Sequence, residues 1–174
     1  MDLGQRGTVE ALSYAVNRRL PLTGGAATLS AMPWHPTAVH FPIALLTGAV
    51  AVDAAALLMR RGDWHRIAYG LLTAAALGAA VAVVTGNVDA ADYRQTQLAA
   101  QIQAHEDLGT INFIWLLVMV LGRMPAMLGR PVHRYSGWVW LAAGVAGMLL
   151  TILTGARGGE LVYDLGVGVS GFVP

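Results

Sequence analysis

"HPTAVHFPIALLTGAVAVDAAALLM", residues 35–59, decides the fold: two histidines and two prolines crowd its entrance, and beyond them Asp53 is the single charged residue. An apolar helix of roughly 20 residues spans the ~30 Å hydrocarbon core of a bilayer. Comparable runs recur along the 174 residues, of which 56% are hydrophobic and only 12% charged. Four spans are read, at about 36–59, 67–86, 106–122 and 136–154. The expected fold is an all-α integral membrane protein, an antiparallel four-transmembrane-helix bundle embedded in the lipid bilayer. Residues 1–34 form an N-terminal extramembrane tail, 35–157 the bundle, and 158–174 a Gly-rich C-terminal segment packing at the outer face.

Loop charge sets the expected orientation. Segments 60–66 ("RRGDWHR") and 123–134 ("RMPAMLGRPVHR") carry three Arg each, whereas 87–105 carries one Arg against Asp89 and Asp92. The positive-inside rule places the first two in the cytoplasm and both termini outside, across a bacterial inner membrane. Arg18 and Arg19 in the tail oppose this assignment. Residues 1–20 lack an apolar core of signal-peptide length, so no cleaved signal is expected. Within that tail Val9, Leu12, Val16 and Leu20 share one helical face, the pattern of a helix lying on the membrane surface.

The four spans read as two copies of one hairpin. His40 precedes Thr85-Gly86, and His105 precedes Thr154-Gly155, at comparable distances; "HR" recurs at 65–66 and 133–134. Such a repeat implies a pseudo-twofold axis along the membrane normal. It would set His40 opposite His105 at the outer surface and His65 opposite His133 at the inner one. Small residues lie below each outer histidine, with Gly48 and Ala51 on the first span and Gly109 and Asn112 on the third. A strip of this kind admits close helix packing or a flat macrocycle, and imidazoles from two helices can supply both axial ligands of a b-type haem. His35 and His40 are five residues apart, about 140° around a helix, so both cannot aim at one point. Pro36 suits a helix start, which leaves His35 at the cap as a partner of the bound group, a lid or an alternative ligand, with His40 pointing inward.

Three chemistries stay open. One is haem b held by His40 and His105, one per chain, with His65 and His133 as the low-ranked pair for a second. Another is a zinc, copper or non-haem iron site from His35, His40, His105 and Glu106. The third is a cofactor-free accessory or scaffold subunit. Asp53 is read as pairing with Arg60, two turns on along the same face. At the other end "TGARGGELVYDLGVGV", 154–169, is expected to leave the helix after Thr154-Gly155 and fold back over the outer mouth. There Gly158 and Gly159 would let backbone approach a ring, Arg157 would pair with a propionate, and Tyr163 would donate a hydrogen bond. No cysteine is present, so thiolate ligation and disulfides within this chain are excluded. There is no GxSxG, GxxxxGK or HExxH and no basic patch beyond the topology signals, so hydrolase, nucleotide and nucleic-acid readings have no residues to rest on.

"HPTAVHFPIALL" at 35–46, the histidine opening the third span with Asn112 below it, and "TGARGGELVYDLGVGV" together resemble the signature segments of a bacterial membrane family, domain-of-unknown-function family 2231. The resemblance covers about residues 32–169. It implies a four-helix bundle related in architecture to the b-type cytochromes; some relatives are fused to Rieske-type domains, which implies electron transfer. It marks His35, His40, His105, Gly158, Gly159 and Tyr163 as characteristic positions, and does not extend to His65 and His133. The expected function is a membrane electron carrier rather than an enzyme. Its partners would be a redox protein or a larger membrane complex, or further copies of itself.

Overall fold

The computed structural model describes residues 34–129 and 136–169. Among the described residues its helices are α1 (Trp34–Ala38), α2 (His40–Leu58), α3 (Trp64–Asp89), α4 (Ala99–Met127) and α5 (Ser136–Tyr163), with a 3₁₀ turn at Ala90–Tyr93 after α3. Taking α1 and α2 as one segment, four helices among the described residues are long and apolar enough to cross a membrane. The protein is an all-α membrane bundle. The surface helix expected in the N-terminal tail lies outside the described residues, as does His133.

Proline chemistry explains the seam between α1 and α2. Pro42 has no N–H to offer the Ala38 carbonyl, so the hydrogen-bond ladder is interrupted there although Val39 keeps helical angles, φ −64° and ψ −23°. The Val39 amide still donates to the His35 carbonyl at 3.1 Å, so His35 belongs to the helical turn. It does not sit outside as a cap.

Each long helix packs on its neighbours in sequence, and α5 closes the ring on α2. At the centre Leu46, Leu72 and Leu116 are fully buried. Around them α3 contributes a strip of alanines, Ala68, Ala75, Ala76, Ala79 and Ala82, whose small side chains let helices approach closely. The outside is as apolar as the inside: Phe41, Leu77, Val84, Ile114, Leu149 and Ile152 are all exposed. Water would penalise that surface, whereas hydrocarbon does not.

The two hairpins repeat, in a different register from the one the histidines suggest. The buried residues of α2 are Pro42, Leu46, Ala49, Asp53 and Ala56; those of α4 include Asn112, Leu116, Met119 and Arg123. Pro42 with Asn112, Leu46 with Leu116, Ala49 with Met119 and Asp53 with Arg123 are each 70 residues apart. On the second helix of each hairpin the offset is 72, as in Leu72 with Gly144 and Ala75 with Gly147. Carried upward, the first register pairs His105 with His35, not with His40. Carried downward, the second pairs His65 with Gly137, not with His133.

Candidate functional site

Helix geometry fixes which histidine looks inward. His35 precedes Pro42 by seven residues, two turns, and so lies on the buried face; His40 precedes it by two, about 200° away. His40 is accordingly exposed, and its Nδ1 donates to the Pro36 carbonyl, one turn before it in α1, at 2.6 Å. His35 is half-buried and is held from two sides. Its amide donates to Asp89 Oδ2 at 3.3 Å, and its Nδ1 bonds the Ala82 carbonyl at 2.8 Å. A carbonyl can only accept, so Nδ1 carries the proton, which leaves Nε2 with its lone pair in the neutral ring.

The partner of His35 is His105. Their ring centroids are 5.8 Å apart and the planes meet at 81°. His105 Nδ1 is buried without a hydrogen-bond partner. Each imidazole lies against a glycine of the other helix in its hairpin. A Cβ on Gly86 would stand 3.0 Å from the His35 ring, and one on Gly158 would stand 3.0 Å from His105 Cε1. The missing side chains are what let the two rings sit between the helices. One polar group lies two turns below His105: Asn112 donates from Nδ2 to Thr151 Oγ1 at 2.9 Å, while its Oδ1 is buried without a partner.

The C-terminal segment differs from expectation. α5 continues to Tyr163, so Gly155, Gly158 and Gly159 lie inside a helix and do not form a loop over the mouth. Packing overrides the weak helix preference of glycine: Gly158 is filled by His105, and Leu161 is buried against Ala90 and Ile102. The chain turns only at 164–169, where Gly166 and Gly168 take φ of 67° and 76°. That turn is tied down by the Gly168 amide donating to the Tyr93 hydroxyl at 3.1 Å. Arg157 is exposed and bonds Glu160 at 3.2 Å, Gly159 is half-buried, and Tyr163 is 82% exposed.

The ligand set for a bare metal ion does not assemble. Among the described residues no three His, Asp or Glu side chains are placed to hold one. Glu106 instead accepts from Arg94 at 3.3 Å.

At the opposite end three helices meet on one carboxylate. Asp53 on α2 accepts from Arg123 Nη2 on α4 at 2.9 Å and, through its other oxygen, from Arg123 Nη1. His65 on α3 bonds the same carboxylate through Nδ1 at 2.8 Å. Asp53 and Arg123 are each about 4% exposed. The Asp53–Arg60 pair expected from spacing does not form, because Arg60 leaves the helix with φ 54° and no longer continues the Asp53 face. Nothing in a single-sequence reading of α2 named Arg123. The signal was there in α4, where an arginine follows Leu116 and Met119 on the buried face. Beyond the helix end, the side-chain hydrogen bond from Arg61 holds the Asp63 carboxyl below its ordinary value.

A family model described as "Predicted membrane protein (DUF2231)" matches residues 31–171. No curated protein and no solved structure matches the chain.

Proposed function

This chain belongs to the DUF2231 family of predicted membrane proteins, and from its own histidine geometry we propose that it is a membrane electron carrier holding one b-type haem between His35 and His105, working alone or as a subunit of a larger redox complex. The observation that carries this reading is the inward-facing imidazole pair, two rings 5.8 Å apart with glycine behind each. A haem held by two imidazoles supplies one-electron transfer with no open iron position for substrate chemistry. In this reading the Ala82 carbonyl fixes the His35 tautomer and turns Nε2 into the donor atom, the arrangement usual for histidine ligands. Gly86 and Gly158 keep both rings from being pushed aside. His40, the ligand expected from the first span, is left outside the site.

The purified chain from haem-replete cells should contain one haem per polypeptide. Two would require a second site at the opposite end of the helices, where His65 lies against Asp53. A colourless protein with stoichiometric zinc, copper or iron would favour the bare-metal alternative. A colourless, metal-free protein would favour the scaffold reading, which rests on His35 already being held by Asp89 and Ala82.

Orientation belongs to the same proposal: both termini outside a bacterial inner membrane, with the Arg-bearing turns in the cytoplasm. Gln97→Cys should react with an impermeant thiol reagent added to intact cells, and Gly62→Cys should react only after the membrane is opened. The reverse pattern would invert the topology.

A further inference from the structure

We propose, resting on the haem reading, that Gly109 clears the space for the buried edge of the cofactor and that Asn112 Oδ1, at the floor of that space, sets its reduction potential. Both residues stand on the inward face of α4 below His105. At about 100° per residue, Gly109 falls about 40° round from His105, between the buried Leu116 and Val120, and Asn112 about 20° to the other side.

Gly109 marks a gap in that face. Every other buried or half-buried glycine within a described helix meets a side chain inside 4 Å: Gly78 meets Pro42, Gly144 meets Val50, Gly147 meets Trp115 and Gly158 meets His105 itself. Gly109 is half-buried, and a Cβ there would meet nothing. The packing therefore stays open one turn below a histidine of the site, where a flat ring held between His35 and His105 needs room.

Asn112 closes the gap from below with an unspent acceptor. Helical side chains lean toward the N-terminus, so Asn112 leans over the turn that holds Gly109. Thr151 Oγ1 gives its one proton to the Gly147 carbonyl at 2.9 Å and can only accept from Asn112 Nδ2, also at 2.9 Å. That donor count fixes the amide with its nitrogen toward α5 and its oxygen turned away from it. Asn112 is 9% exposed, and Oδ1 is buried with no donor, a desolvation cost that no bond within the chain offsets. An oxygen held in this way puts the negative end of a dipole beside the site. In an apolar interior that favours ferric over ferrous iron and lowers the potential.

The test is a redox titration of the purified full-length protein, with haem content and unfolding temperature measured for each variant. Asn112→Leu should keep its haem, unfold no more readily than the parent because an orphan acceptor is removed, and show a raised midpoint potential. Thr151→Ser should match the parent. Thr151→Val, which frees the amide to turn, should move the midpoint in the same direction as Asn112→Leu, and reads the same dipole should Asn112→Leu fold poorly. Gly109→Leu should lose most of its haem, yet unfold at or above the temperature of parent protein made without haem, since leucine is the better helix former and its Cβ meets nothing. Unchanged or lowered midpoints in Asn112→Leu and Thr151→Val would overturn the assignment of Asn112, and full haem content in Gly109→Leu would overturn that of Gly109; either result leaves the haem reading standing. A parent protein without haem would overturn that reading and both assignments together.

Discussion

Arg123→Ala is expected to destabilise the bundle by about 3–5 kcal/mol, because it strands the buried Asp53 carboxylate without its counter-charge. Asp53 and Arg123 have side chains only 5% and 4% exposed, so neither charge is screened. The His65 bond would remain, and would hold Asp53 less well than the bidentate guanidinium does. Asp53→Ala should cost a similar amount by stranding Arg123. The discriminating variant is the double replacement Asp53→Leu with Arg123→Met. An apolar pair of similar size removes both desolvation penalties, so the double variant should be more stable than either single one. Reversible unfolding in mixed detergent and denaturant measures all three. Single-variant losses that simply add in the double would contradict the account of the pair.

Haem retention should respond as sharply at the other end. His35→Ala and His105→Ala are each expected to lower it by more than about tenfold, since loss even of a group that only orients a ligand costs that much. Gly86→Ala should act in the same direction more weakly, by setting a methyl 3.0 Å from the His35 ring. His40→Ala should retain haem like the parent, because His40 is exposed and bonded to the Pro36 carbonyl one turn before it.

The fold was legible because hydropathy reports directly on bilayer insertion. Four apolar runs separated by Arg-bearing or acidic loops are enough for a four-helix bundle, and the third and fourth helices differ mainly in running on to Ala99 and Tyr163. The ends of helices were less legible. Gly155, Gly158 and Gly159 are poor helix formers by themselves, and their helix is held by His105 and Leu161, contacts to residues distant in sequence. Register was the harder matter. Matching chemically conspicuous residues, His40 with His105, aligned the hairpins through side chains that do not share a face. The unremarkable buried residues Leu46 and Leu116, with Ala49 and Met119 a turn away, carry the true register. Once they are aligned, His35 with His105 and Asp53 with Arg123 follow without further assumption. The general reason is that packing fixes which face of a helix turns inward, and a polar residue can sit on any face that a headgroup or a neighbouring carbonyl will satisfy.

The central claim is that His35 and His105 hold one b-type haem, and the most direct test is the dithionite-reduced minus oxidised absorption spectrum of the purified protein and of its His35→Ala, His40→Ala and His105→Ala variants. The account predicts a b-type spectrum in the parent and in His40→Ala, lost from His35→Ala and from His105→Ala. A colourless parent protein, or a spectrum that survives in His35→Ala and disappears in His40→Ala, would contradict it.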